Sequence, residues 1–168
     1  LEEALLQNLF GAQFVAAVDD DHADHHSDDE GRILRDNVYG SIDEDVWRRD
    51  FTCNALYYNI ADFSIWDYTG GVRDVRDRVL RLIGDPVQRL REDPVRMLRA
   101  VRFAGKLDFR IADEVVAAIH DNAELITNVP SARLFDEFLK LFQAGHAEKT
   151  FELLREHGYS EHLAQQVI

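Results

Sequence analysis

The sequence predicts an α+β fold, mixed in its first half and helical in its second. Three observations carry that expectation. Short β-prone runs, Tyr58 to Trp66 and Val79 to Ile83, are set off by Gly70-Gly71 and Gly84. After Pro86 the apolar residues recur only at helical spacing. Apolar residues make up 46% of the 168, with ten Phe, five Tyr and two Trp, which argues against disorder. That length is one ordinary domain, or two small ones sharing an interface.

Taken in order, Phe14 to Val18 reads as a strand, with a helix left open because the run is short. Residues 19–31 are almost all Asp, His and Glu, which predicts a solvated loop. Residues 32–58 read as a helical stretch: Asp43 and Glu44 sit near a helix start, and Val46, Trp47, Phe51, Ala55 and Leu56 recur at helical spacing. Tyr58 to Trp66 looks strand-like. Val72 to Arg78 is a short amphipathic segment before a strand at Val79 to Ile83, which Gly84-Asp85-Pro86 ends. Asp93-Pro94 marks a helix start, since Asp caps free N–H groups and Pro suits the first helical position. Val95, Leu98, Val101 and Phe103 then line an apolar stripe. Two more helices follow at 112–126 and 132–144, the second opened by Pro130-Ser131 and closed by Gly145. Its expected buried face is Leu134, Phe135, Phe138, Leu139 and Phe142. A last helix, 147–157, stops at Gly158.

Composition excludes several classes. No run approaches the roughly 18 apolar residues of a membrane span, and no basic-then-apolar leader supports secretion. The chain opens on Leu1 rather than Met, so a fragment is expected. A single cysteine, Cys53, excludes a disulfide framework and a multi-thiolate zinc site, and fits a reducing cytoplasm. The net charge of −13 argues naively against nucleic acid. It is unevenly spread, however. Residues 1–45 carry 2 basic and 13 acidic side chains, residues 46–110 carry 13 and 9, and residues 111–168 carry 4 and 10. Twelve of the 13 central cations are Arg, whose flat fork of donors suits phosphate and base edges. The plainer alternative is a set of Arg–carboxylate pairs within the segment.

Two segments carry the chemistry: Trp47 to Tyr58, reading RRDFTCNALYY from Arg48, and Arg91 to Phe103, reading REDPVRMLRAVRF. In the second, Asp93, Arg96, Arg99 and Arg102 are three apart and fan over one side of a helix, while Val95, Leu98 and Val101 bury on the adjacent side. An Asp accepts from an exocyclic amine and an Arg donates to ring acceptors, the pairing used on base edges. The bland alternative is a solvated Asp93–Arg96 pair worth ~0.3 kcal/mol. In the first segment, Arg49, Asp50 and Asn54 are the polar members, with 50 and 54 one helical turn apart; Phe51, Ala55 and Leu56 suit a core better than base stacking.

These blocks closely resemble those of the bacterial class II nucleotidyltransferases, which comprise poly(A) polymerases and tRNA CCA-adding enzymes. The connecting DYTGGVRDVRDRVLRLIGDP is similar too, and RDNVYGSIDED with Tyr57-Tyr58 resembles the poly(A) polymerase branch. The likeness spans about residues 31–145. It implies a partial nucleotidyltransferase head (mixed sheet plus helices) at 1–85, an all-α nucleotide-reading neck at 86–130 and the start of a helical RNA-binding body at 131–168. It implies that Asp93 and Arg96 read the incoming base, and that Arg49, Asp50 and Asn54 contact ribose and triphosphate. Arg99 and Arg102 join them as nucleotide-binding residues. The implied function is template-independent transfer of AMP from ATP to RNA 3′ ends, with tRNA CCA addition as the alternative. A non-catalytic RNA- or nucleotide-binding module is the alternative of another class.

Nucleotidyl transfer uses carboxylate-bound divalent ions, so Mg²⁺ is expected for the intact enzyme. The family's Gly-rich segment and D-x-D strand have no counterpart here, so catalytic carboxylates are left unassigned and no metal ligand is predicted. The Asp/His loop at 19–31 offers ligand types without a rigid frame, which disfavours a metal site. Gly70-Gly71 reads as a tight turn before a short helix rather than a phosphate loop. Arg73, Arg76 and Arg78 either touch RNA backbone or balance Asp74 and Asp77. Arg48 suits a structural pair with Asp45 or Asp43, and Cys53 suits core filling.

Overall fold

The computed structural model describes residues 42–59, 62–143 and 147–156. The readings made on residues 1–41, including the Asp/His loop, and the helix ends at Gly145 and Gly158 lie outside them. The chain divides into two units, one containing Ile42–Arg48 and Tyr57–Trp66, the other Arg49–Leu56 and the chain from Asp67 onward.

In the first unit, helix α1 (Ile42–Arg48) buries Val46 and leaves Trp47 59% exposed. Asp45 accepts from the Arg48 guanidinium and from the Tyr57 hydroxyl at 2.6 Å, so the expected Arg48–Asp45 pair forms. The Tyr58–Trp66 run is two three-residue strands, β1 (Leu56–Tyr58) and β2 (Ile65–Asp67), rather than one. Between them Asp62 accepts from the Ser64 N–H at 2.9 Å, an Asx turn that interrupts the extended chain.

In the second unit the helix expected to run to residue 58 is absent. Residues 50–52 lie antiparallel on 81–83: Thr52 N donates to Arg81 O at 3.0 Å, Ile83 N donates to Asp50 O at 3.0 Å, and Phe51 bridges Leu82. A 3₁₀ turn, Thr52–Asn54, follows. Asp50 and Asn54 are therefore not one helical turn apart. The extended path buries Phe51 completely and sets it edge-on to Phe103, with ring centroids 5.5 Å apart. That packing, with the backbone bonds to 81–83, overrides a weak helical preference.

Helix α2 (Gly71–Arg76) leads to β3 (Val79–Leu80), which pairs in parallel with β4 (Arg110–Ile111). The second half is thus not helices only. A two-residue strand leaves no periodicity to read, and its partner is supplied from 31 residues upstream. Among the described residues five α-helices follow from Pro86 onward, of which the second packs on both strands of the pair. They are α3 (Pro86–Glu92), α4 (Arg96–Leu107), α5 (Asp113–Asn122) continuing into a 3₁₀ turn at Ala123–Asn128, α6 (Ser131–Gln143) and α7 (Ala147–Glu156). Helix α3 packs on α5, and α4 on α6 and α7. Leu90, Val95, Met97, Leu98, Val101, Ile119, Ile126 and Leu141 are fully buried or nearly so. At ~25 cal/mol per Å² of apolar surface, such side chains supply the main cohesive term.

Two expectations for the helices are corrected. Asp93 closes α3, its N–H bonding Arg89 O at 3.2 Å, and α4 begins only at Arg96 after a tight turn through Pro94 and Val95. The face of α6 also differs. Leu134 and Leu141 are buried, but Phe135 is 55% and Leu139 40% exposed, and Glu137 turns inward at 4%. An apolar count along the sequence rejects a carboxylate at that position. The structure accepts one because α4 presents two guanidinium groups to it. The side chain of Phe142 lies outside the described set. Among the described residues no helix is long and apolar enough to cross a membrane.

Candidate functional site

Helix α4 builds the site because its two faces differ. Met97, Leu98, Ala100, Val101 and Ala104 bury, while Arg96, Arg99 and Arg102 recur every third residue on the other side. The residue opposite them is Asp50, delivered by the extended 50–52 segment. Arg96 Nε donates to one Asp50 oxygen at 2.7 Å and an Arg99 terminal nitrogen donates to the other at 2.6 Å. Burial pushes the Asp50 carboxyl up, but the two guanidinium hydrogen bonds outweigh it and hold the group below its ordinary 3.8.

Arg96 and Asp50 are 11% and 15% exposed, so this pair is sheltered. Arg96 also donates to Arg89 O at 2.7 Å and lies 3.5 Å from Glu92. Arg89 in turn donates to Arg49 O at 2.7 Å and to Glu92 at 3.0 Å, which ties the start of the first motif block to α3. Asp93 does not pair with Arg96. Its carboxylate accepts from Arg133 at 2.7 Å and, weakly, from Val95 N at 3.3 Å.

Glu137 lies 3.6 Å from Arg99 Nε and 3.7 Å from Arg102 Nε, and accepts from Lys140 at 2.9 Å. Those two Nε atoms and the second Glu137 oxygen are buried without a hydrogen-bond partner among the described residues. They form an ion-paired cluster at loose contact. Burial lowers the Arg102 guanidinium from its ordinary value, and the neighbouring Arg99 charge adds to this against the pull of Glu137.

Of the seven residues singled out, the structure joins Asp50, Arg96 and Arg99 directly and brings Arg102 in through Glu137. Asp93 sits beside them, held by Arg133. Arg49 enters the network through its backbone carbonyl. Asn54 stands apart from this cluster, its side-chain oxygen meeting the Cys53 thiol at 3.6 Å among the described residues. Arg89, Arg133 and Glu137 were missed. Each acts across elements, and only the unusual carboxylate between Leu134 and Leu141 marks one of them in the sequence.

The Gly70-Gly71 turn holds α2 against the motif. Gly70 has φ 81°, and a Cβ on Gly71 would stand 2.2 Å from Thr52 O. The N–H groups of Thr69, Gly71 and Val72 are taken by the Asp67 carboxylate at 3.1, 2.9 and 3.0 Å, which leaves no nest for a phosphate. Asp74, buried, accepts from the Thr52 hydroxyl at 2.8 Å and from Arg81 at 3.3 Å. Of the basic trio, Arg73 pairs with Asp77 at 3.7 Å and Arg78 with Asp108 at 3.5 Å, both largely exposed. Cys53 is 1% exposed and its thiol is pushed up to about 12 by burial, as core filling requires.

Among the described residues no three His, Cys, Asp or Glu side chains stand together to hold a metal ion. The carboxylates of this cluster, Asp50 and Glu137, are committed to cationic side chains, so they do not fit a magnesium site.

Two family models match the chain: the poly A polymerase head domain over residues 13–81, and the probable RNA- and SrmB-binding site of polymerase A over residues 108–167. These two matches, a polymerase head followed by a probable RNA-binding site, define the class of protein that the chain resembles. The chain belongs to the class II nucleotidyltransferase family of poly(A) polymerases and tRNA CCA-adding enzymes. It is 54% identical over 127 residues to Poly(A) polymerase I of Escherichia coli O6:H1, covering 76% of this chain and 27% of that relative. It is 38% identical over 121 residues to the CCA-adding enzyme of Lactobacillus helveticus, covering 72% and 30%. The crystal structure of the Bacillus stearothermophilus CCA-adding enzyme in complex with CTP superimposes with a TM-score of 0.66 at 39% identity, over 71% of this chain and 30% of that one. The chain thus spans 27–30% of the length of these relatives.

Proposed function

We propose that this chain is the nucleotide-reading part of a template-independent nucleotidyltransferase that adds AMP from ATP to RNA 3′ ends with release of pyrophosphate. The observation that carries this reading is Asp50 held between Arg96 and Arg99, which gathers two motif blocks 46 and 49 residues apart into one charged cluster. Asp93 and Arg96 read the base. Arg49, Asp50 and Asn54 serve the ribose and triphosphate, with Arg99 and Arg102 supplying further positive charge. Arg73, Arg76 and Arg78 contact RNA backbone. The domain layout is a head to residue 85, a neck to 130 and a helical body beyond. The setting is the cytoplasm. Mg²⁺ belongs to the intact enzyme, on carboxylates other than those described.

The 54% identity to a poly(A) polymerase, against 38% to a CCA-adding enzyme, favours AMP as the transferred unit. The alternative, tRNA CCA addition, draws support from the structural neighbour bound to CTP. Equilibrium binding of ATP and CTP to the 168-residue chain, with an RNA extension assay in Mg²⁺, separates the outcomes. Weak binding that prefers ATP, without extension, is expected. Equal binding of CTP overturns the adenylate reading, and extension by this chain alone overturns the placement of the metal carboxylates elsewhere.

A further inference from the structure

We infer that Arg133 is a built-in competitor for the carboxylate that reads the base, and so sets how strongly the site favours a base carrying an exocyclic amine. This rests on the role of Asp93 given above.

Arg133 donates to Asp93 at 2.7 Å, while among the described residues the other carboxylate oxygen has only the 3.3 Å contact from Val95 N. The better bond of Asp93 is therefore spent on a side chain from another helix. The two partners differ in shelter. Asp93 is 16% exposed and Arg133 is 49% exposed. The acid is fixed in the site, while its guanidinium partner reaches in from solvent.

A guanidinium N–H and the amine of adenine offer a carboxylate the same donor, so they compete for the same oxygen. Arg133 sits in the first turn of α6, where its N–H bonds Pro130 O at 3.0 Å. Its backbone stays anchored when its side chain swings away. Arg96 does not take its place at Asp93: its Nε bonds Asp50 and a terminal nitrogen bonds Arg89 O, which turns the guanidinium towards those two acceptors.

Opposite preferences follow for two kinds of base. A base with an amine must displace Arg133 to take the Asp93 oxygen that the guanidinium holds. A base with a carbonyl at that position is repelled by Asp93 but accepts from Arg133. The arginine therefore compresses the discrimination that Asp93 alone would give. Half-exposed ion pairs are weak, so the compression is on the order of three- to fivefold.

The test measures equilibrium binding of ATP and inosine triphosphate to the full chain. The two carry identical triphosphates, so the lost charge of an Arg133 variant cancels in their affinity ratio. Arg133→Gln is expected to raise the ATP-to-inosine-triphosphate ratio about three- to fivefold, and Arg133→Lys to leave it near the starting value. If Asp93→Asn collapses the ratio while Arg133→Gln leaves it unchanged or lower, the competitor role is overturned and base reading by Asp93 stands. If Asp93→Asn leaves the ratio unchanged, the reading of Asp93 fails and the inference fails with it.

Discussion

Arg96 Nε lies 2.7 Å from an Asp50 oxygen, although the two residues are 46 positions apart. The contact joins a helix to an extended strand-like segment, and Arg99 closes the other oxygen at 2.6 Å. Asp50→Asn keeps the shape and removes the charge, leaving two guanidinium groups facing an amide. Hydrogen bonds to charged groups contribute about 1.5–3 kcal/mol. A loss of that size is expected in urea unfolding, together with weaker ATP binding, because Arg96 and Arg99 lose the group that orients them.

The same carboxylate makes stability depend on acid. Its folded value lies below the ordinary 3.8, so the folded state favours the ionised form. The unfolded chain, titrating near ~3.9, then binds more protons than the folded chain as pH falls. The stabilisation from Asp50 is fully present above the unfolded value and is lost as pH drops through the folded one. Unfolding free energy followed from pH 6 to pH 2 is expected to fall less steeply below pH ~4 for Asp50→Asn than for the unaltered chain. Parallel profiles would show that Asp50 is not coupled to folding through its charge.

Glu137 poses the harsher case of a carboxylate 4% exposed between two arginines on another helix. Removing one partner from a buried ion pair leaves the other charge stranded, at about 3–5 kcal/mol. Glu137→Ala is expected at the low end of that range, since Asp50 still serves Arg99. Glu137→Gln is expected to lose less, because it retains an acceptor. Thermal unfolding of both variants reads the difference, and equal losses would mean that volume rather than charge matters at this position.

How much of this was legible in the sequence depends on the range of each interaction. The three-residue recurrence of Arg96, Arg99 and Arg102 places them on one face by helix geometry alone, whereas Asp85-Pro86, read only as a strand end, proved to open the next-door helix. The partner shared by Arg96 and Arg99 could not be read, because no local pattern pairs residues 46 and 49 positions apart. Strand β4 escaped because two residues have no period. The outward Phe135 and inward Glu137 reversed the expected face of α6, since apolar counting assumes that a buried position has no charge opposite it. The helix expected through Phe51 failed for a related reason. Its aromatic and β-branched residues fit either conformation, and pairing with 81–83 decided between them.

Gly71 gives a sharper steric prediction. A methyl group there would stand 2.2 Å from Thr52 O, a backbone atom with no rotamer to escape into. Gly71→Ala is expected to displace α2 from the 3₁₀ turn within the first motif block and to destabilise by about 1–3 kcal/mol, the cost of overpacking. Gly70→Ala meets nothing within 4 Å but suffers at φ 81°, so it loses stability through backbone strain alone, about 1 kcal/mol. Urea unfolding of the two variants is expected to rank Gly71→Ala as the worse, and the reverse order would place the constraint in the backbone turn.

Arg78 and Asp108 share a conformation as well as an ion pair. Each precedes one strand of the parallel β3–β4 pair, and each has a left-handed backbone, at φ 53° and φ 58°. The left-handed region costs L residues roughly 1–2 kcal/mol, with Asp and Asn penalised less than long side chains. Their contact at 3.5 Å joins side chains 63% and 64% exposed, so it offsets little of that strain. Glycine at either position is therefore expected to stabilise, by about 0.5–1 kcal/mol for Arg78→Gly and by less for Asp108→Gly, which also gives up Lys149. The function separates the two variants. Arg78→Gly removes a side chain proposed to touch RNA and is expected to weaken RNA binding while raising the melting temperature. Asp108→Gly removes a negative charge from the same surface and is expected to strengthen it. If RNA affinity falls in both variants alike, the basic trio plays no part in the contact and the loss traces to the strand pair itself.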